Sequence, residues 1–68
     1  MKPVKVKAYQ GRQCLASRDT VLLDLADRAS WRVMLRDLLK TRGVTANADS
    51  RLTVTDLDGK WIGEVSGA

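Results

Sequence analysis

The sequence predicts a small α+β domain, ββαββ in element order, with one helix laid on one face of an antiparallel-rich sheet. The sheet has four strands, or five if Thr20 to Leu25 pairs as a strand of its own. Three observations lead there: a helical apolar stripe within residues 28–42, an alternating segment near the start of the chain, and two alternating runs around Asp58-Gly59. At 68 residues the chain is one domain, residues 1–68, near the size at which a single core barely offsets the chain entropy lost on folding.

In the first segment Val4, Val6 and Ala8 alternate with Lys5, Lys7 and Tyr9, the period of a half-buried strand. Gly11-Arg12 then reads as a two-residue hairpin loop, with glycine at the first central position as a type II′ turn requires. That register sets Ala8 against Leu15 and Val6 against Ser17 on the inner side. On the outer side it sets Tyr9 against Cys14, Lys7 against Ala16 and Lys5 against Arg18.

Residues 19–29, DTVLLDLADRA, fit one continuous helix poorly. Leu22, Leu25, Ala26 and Ala29 would point about 180° away from the stripe that follows, so both faces would need burial. An extended stretch near Thr20 to Leu25 is expected instead, with Asp24 and Asp27 as N-caps leading into the helix.

Within that helix, at about 100° per residue, Trp31, Met34, Leu35 and Leu38 share one side while Arg32, Arg36 and Lys40 share the opposite one. Ser30 can accept a hydrogen bond from a free N–H of the first turn, and Lys40 and Arg42 lie near the negative end of the helix dipole. Gly43 supplies the left-handed residue that ends the helix. Residues 44–51 form a polar connector rich in turn formers.

The last fourteen positions before the tail, LTVTDLDGKWIGEV, are two β-rich runs joined at Asp58-Gly59, a signal for a type I′ hairpin turn. Pairing Leu57 with Lys60 places Leu52, Val54, Trp61 and Val65 on one face, with Thr53, Thr55, Ile62 and Glu64 on the other. The expected core is then Val4, Val6, Leu15, Leu52, Val54, Trp61 and Val65 beneath the helix stripe. This element order resembles that of β-grasp domains and of the immunoglobulin-binding domains of bacterial cell-wall proteins. The resemblance is one of topology without a shared motif, and it implies no function.

Composition narrows the function. The chain has one cysteine and no histidine, so it has no internal disulfide and no zinc staple, and Cys14 has no imidazole to activate it. Its start lacks the continuous apolar run of a signal peptide, and nothing approaches the roughly 20 apolar residues of a membrane span. A cytoplasmic location is expected, and a homodimer is one way for so small a core to gain stability.

Asp56, Asp58 and Gly59 do not make a calcium loop: with Gly59 as the loop glycine, Val54 and Val65 fall where oxygen ligands belong. The glycines open no phosphate-binding loop, and no serine has a histidine base. A non-enzyme without a cofactor is expected.

Two basic surfaces remain, in a chain of net charge +4. One is the helix face of Arg32, Arg36 and Lys40, extended by Arg28; the other is the outer sheet face of Lys5, Lys7 and Arg18 with Tyr9. Leu57 and Ile62 are candidate apolar contacts for a partner or a second copy. The reading these features favour is a small module that docks on a larger protein or nucleoprotein assembly as an accessory or inhibitor. The alternative is direct, salt-sensitive binding of DNA or RNA through either basic surface. Each basic surface also has a plainer explanation as solvated exterior opposite a core stripe.

Overall fold

The computed structural model describes residues 2–22 and 26–67. The elements are β1 (Lys2–Gln10), β2 (Gln13–Leu22), α1 (Arg28–Lys40), β3 (Ser50–Asp56) and β4 (Trp61–Ser66). The strands form one antiparallel sheet in the order β2-β1-β3-β4, and α1 packs on one face. The predicted α+β class and ββαββ order therefore hold. Thr20 to Leu22 lengthens β2 and forms no separate strand, while Leu23, Asp24 and Leu25 lie outside the described residues.

Because β2 and β3 both run antiparallel to β1, they are parallel to each other, and the chain between them must cross over the sheet. The helix is that crossover. A β-grasp domain sets its first and last strands side by side in parallel; here β1 neighbours β3 and β4 is an edge strand, so the resemblance stops at element order.

The interior is one apolar layer. Val4, Val6 and Ala8 from β1, Leu52 and Val54 from β3, and Val65 from β4 meet Trp31, Leu35, Leu38 and Leu39 of α1. Leu39 was not part of the expected stripe, and Met34 is only half-buried, so the buried arc sits slightly round from the predicted one. Each full burial of a side chain of this kind contributes about 1.5–3 kcal/mol before entropy is counted.

The helix begins at Asp27. Its Oδ1 accepts from the Ser30 N–H at 3.3 Å, and the Ser30 hydroxyl donates to Oδ2 at 2.7 Å. Ser30 thus serves the cap from inside the first turn and is not the cap itself. Gly43, at φ +73°, ends the helix: its N–H donates to Lys40 O at 3.0 Å and Val44 N–H donates to Leu39 O at 3.0 Å, the paired bonds that satisfy the last carbonyls.

Both hairpins depart from the simplest register by one residue. In the first, Gln10 and Tyr9 face Gln13 and Cys14 as predicted, but Leu15 is then bulged out, so Ala8 faces Ala16 and Val6 faces Arg18. In the second, the turn is not type I′, since among the described residues no residue other than glycine has positive φ. Gly59, at φ +91°, instead follows a tight turn closed by its own N–H to Asp56 O at 3.1 Å. Asp56 stabilises that turn by accepting from the N–H groups of both Asp58 and Lys60 with Oδ1. The loop is therefore one residue longer than predicted, Trp61 pairs with Thr55, and Ile62 is bulged.

The connector is also shorter than 44–51, because β3 already starts at Ser50, opposite Gln10. Asn47, Ser50 and Gln10 form a polar knot there. The Asn47 N–H donates to Ser50 Oγ at 2.9 Å, Ser50 Oγ donates to Gln10 Oε1, and Gln10 Nε2 donates to Asn47 Oδ1 at 3.1 Å. Among the described residues no helix is long and apolar enough to cross a membrane.

Two predictions follow from this packing. Leu35→Ala, at a fully buried site, should cost about 2–5 kcal/mol in urea unfolding, whereas Val33→Ala on the exposed helix side should stay within about 0.5 kcal/mol. The hydrogen bonds from Ser30 hold the Asp27 carboxyl below its ordinary value of 3.8. Its cap contribution is therefore complete above that value and lost as pH falls through the lower folded value. Thermal melts taken downward from pH 5 should show this loss, and Asp27→Asn, which keeps an acceptor but cannot titrate, should flatten that part of the profile.

Candidate binding surface

With α1 on one face, the other face of the sheet carries no second layer among the described residues. On β1 it displays Lys5, Lys7 and Tyr9, with Thr55, Thr53 and Arg51 of β3 directly opposite. On the edge strands, Trp61 lies opposite Thr55 and Glu64 opposite Thr53, while Asp19 lies opposite Lys5 and Ser17 opposite Lys7. The cations thus sit on the two central strands and the carboxylates on the two edges. The Arg51 guanidinium lies over the Tyr9 ring, 4.8 Å from its centroid, so the two make one stacked unit.

The most exposed large apolar side chain on this face is Trp61, at 57%. Val21 (50%) lies toward the same end of the sheet, and Leu57 (52%) lies in the turn that precedes Trp61.

The predicted site residues divide sharply. Lys5, Lys7 and Tyr9 do share the open face, and all three are half-buried. Arg18 does not: the bulge at Leu15 shifts it opposite Val6, onto the helix side of the sheet. Ile62 is likewise withdrawn, because the bulge at the second hairpin turns it against the core, while Leu57 remains exposed in the turn.

Arg32, Arg36 and Lys40 are exposed along the outer side of α1. Arg36 and Lys40 also border a shallow groove of about 300 Å³ with Val44, Thr45 and Ala46. Arg28 is engaged within the fold. Its guanidinium lies 3.9 Å from the Trp31 ring centroid, Nη1 donates to Glu64 O at 3.5 Å, and the group rests against Gly63.

Two members of the open face are not among the residues expected there. Arg51 falls in the predicted connector, although its parity with Thr53 and Thr55 places it on their face as soon as β3 is extended by two residues. Trp61 falls in the predicted core because a two-residue loop points it inward; a longer turn around D-L-D-G points it outward. Comparison with known proteins adds no relative: no family model, no curated protein and no solved structure matches the chain.

The engagement of Arg28 is testable through its neighbour glycine. A Cβ at Gly63 would lie 2.5 Å from Arg28 Nη1, so Gly63→Ala should displace the flexible guanidinium, change Trp31 emission and alter stability by less than about 1 kcal/mol. Gly67→Ala should be worse, at about 1–3 kcal/mol, because its Cβ would meet Asn47 O at 2.7 Å and Ser50 Cβ at 2.8 Å.

Proposed function

We propose that this chain is a small non-enzymatic binding module that docks on a larger protein or nucleoprotein assembly, as an accessory or inhibitor, with its open sheet face as the working surface. The observation that carries the reading is Trp61, 57% exposed on a face with no covering layer. A domain of this size has little apolar surface to spare for its own core, and leaving an indole in water forgoes a sizeable contribution to folding. Trp, Tyr and Arg are the residue types that dominate binding energy at interfaces, and Trp61, Tyr9 and Arg51 bring all three to this face.

The exposed helix edge of Arg32, Arg36 and Lys40 supports a second reading, salt-sensitive contact with DNA or RNA through phosphates.

Gradient sedimentation of a tagged chain in lysate of its source cells tests the first reading. The wild-type chain should travel with a large particle, and Trp61→Ala should weaken that association about 30-fold, the scale of a hot-spot truncation, while leaving the melting temperature unchanged. Val33→Ala should leave the association intact. Sedimentation of the wild-type chain at its own mass, or equal behaviour of Trp61→Ala and wild type, would count against the reading.

A further inference from the structure

We propose that the open sheet face binds single-stranded nucleic acid, with Trp61 and the Arg51–Tyr9 stack as two base platforms and Lys5 and Lys7 alongside them on phosphates. The inference rests on the docking reading above and names the partner chemistry of that same face.

The layout favours a linear polyanion. Lys5, Lys7 and Arg51 lie on the central strands β1 and β3, and the carboxylates of Asp19 and Glu64 lie on the edge strands β2 and β4. A positive track bounded by negative margins therefore runs along the strands. Tyr9 lies at one end of that track, opposite Arg51, and Trp61 flanks its other end from edge strand β4, opposite Thr55, which itself faces Lys5. With about 3.3 Å per residue along a strand and about 4.8 Å between strands, the two aromatics stand roughly 16 Å apart. Aromatic faces spaced along a cationic track are the elements by which sheets hold unpaired strands, since every base offers a π-face.

Strandedness follows from shape. The major groove of a duplex admits a helix or a two-stranded ribbon, and a four-stranded face is too broad to enter it. Bases stacked inside a duplex cannot reach Trp61, whereas unpaired bases can. The Tyr9 ring already carries the Arg51 guanidinium on one face, and the outer plane of that guanidinium is itself a stacking surface for a base.

A protein partner fits the middle of the face less well. Lys5, Lys7, Thr53 and Thr55 occupy it, and the centres of protein interfaces are depleted in lysine. Thr53 is buried among its neighbours and Thr55 is half-buried, so the ground between the aromatics is low, and the Thr55 hydroxyl can donate to and accept from a base edge.

Fluorescence anisotropy of a labelled oligothymidylate 12-mer and of a duplex of equal length, titrated with the intact chain across a salt series, tests the proposal. The single strand should bind at least tenfold more tightly than the duplex, with a log–log salt slope of about −1.5 to −2, the value for two to three phosphate contacts. Trp61→Leu should weaken binding tenfold or more and Trp61→Phe should largely retain it, which separates stacking from a merely apolar contact. Replacing both Lys5 and Lys7 by Gln should flatten the slope by about 1.4, and Arg32→Gln with Arg36→Gln should change nothing.

Absence of binding at low salt, equal affinity for duplex, or loss of binding in the helix-face variant alone would overturn the proposal. Suppose single strands do not bind, yet Trp61→Ala still releases the chain from a nuclease-resistant particle. The proposal then fails while the docking reading stands, with protein as the occupant. Loss of both would remove both.

Discussion

The structure depends on a single apolar layer between α1 and one face of the sheet. A helix of 13 residues is about 20 Å long and can cover one side of four strands and no more. Trp31, Leu35 and Leu39 are fully buried in that layer against Val4, Val6, Leu52 and Val54. The opposite face must then be compatible with water, and Lys5, Lys7, Arg51 and Thr55 make it so. Trp61 and Val21 depart from this division, and Trp61 is the larger and more exposed of the two.

The two bulges decide which residues fall on which side of that division. At Leu15 the extra residue brings both Leu15 and Ala16 to the rim of the core, and the Leu15 carbonyl is taken up by Arg42 Nε at 2.8 Å. At Ile62 the extra residue exchanges two apolar side chains, drawing Ile62 inward and sending Trp61 outward. The interior already holds one indole at that end of the helix, with Arg28 laid over it, so the smaller side chain is the one that fits. Bulges of this kind re-aim single residues without altering the topology.

That pattern also explains what could be read from the sequence. Period-2 alternation in Val4–Tyr9 and the 3.6-residue stripe of Trp31, Leu35 and Leu38 gave the elements, their order and most of the core, because burial of one face imposes those periods directly. Registers far from the turns were legible too: Leu52 faces Val65 and Val54 faces Gly63 as the alternation implies. What alternation cannot show is a one-residue insertion, since the pattern on either side of it is unbroken and only the phase changes. Arg18, Ile62 and Trp61 were all misplaced by such phase shifts, whereas Lys5, Lys7 and Tyr9, on the uninterrupted strand β1, were not. The contacts of Arg28 with Trp31 and with the space above Gly63 carry no sequence signal, because they join residues that only the folded chain brings together.

The polar knot of Gln10, Asn47 and Ser50 has a consequence for how the molecule opens. Gly11 N–H donates to Asp49 O at 2.9 Å, and Gly67 N–H donates to Ser50 O at 2.8 Å, so the first turn, the connector after α1 and the far end of β4 are fastened to the same few residues. None of these segments can fray without loosening the others. Local unfolding at this end should therefore be collective, with the Gly11, Ser50 and Gly67 amides exchanging as one unit. At the opposite end the side chain of Asp56 organises the turn before Trp61 through its own bonds to Asp58 and Lys60. The knot thus ties the two hairpins together at the end of the sheet far from Trp61.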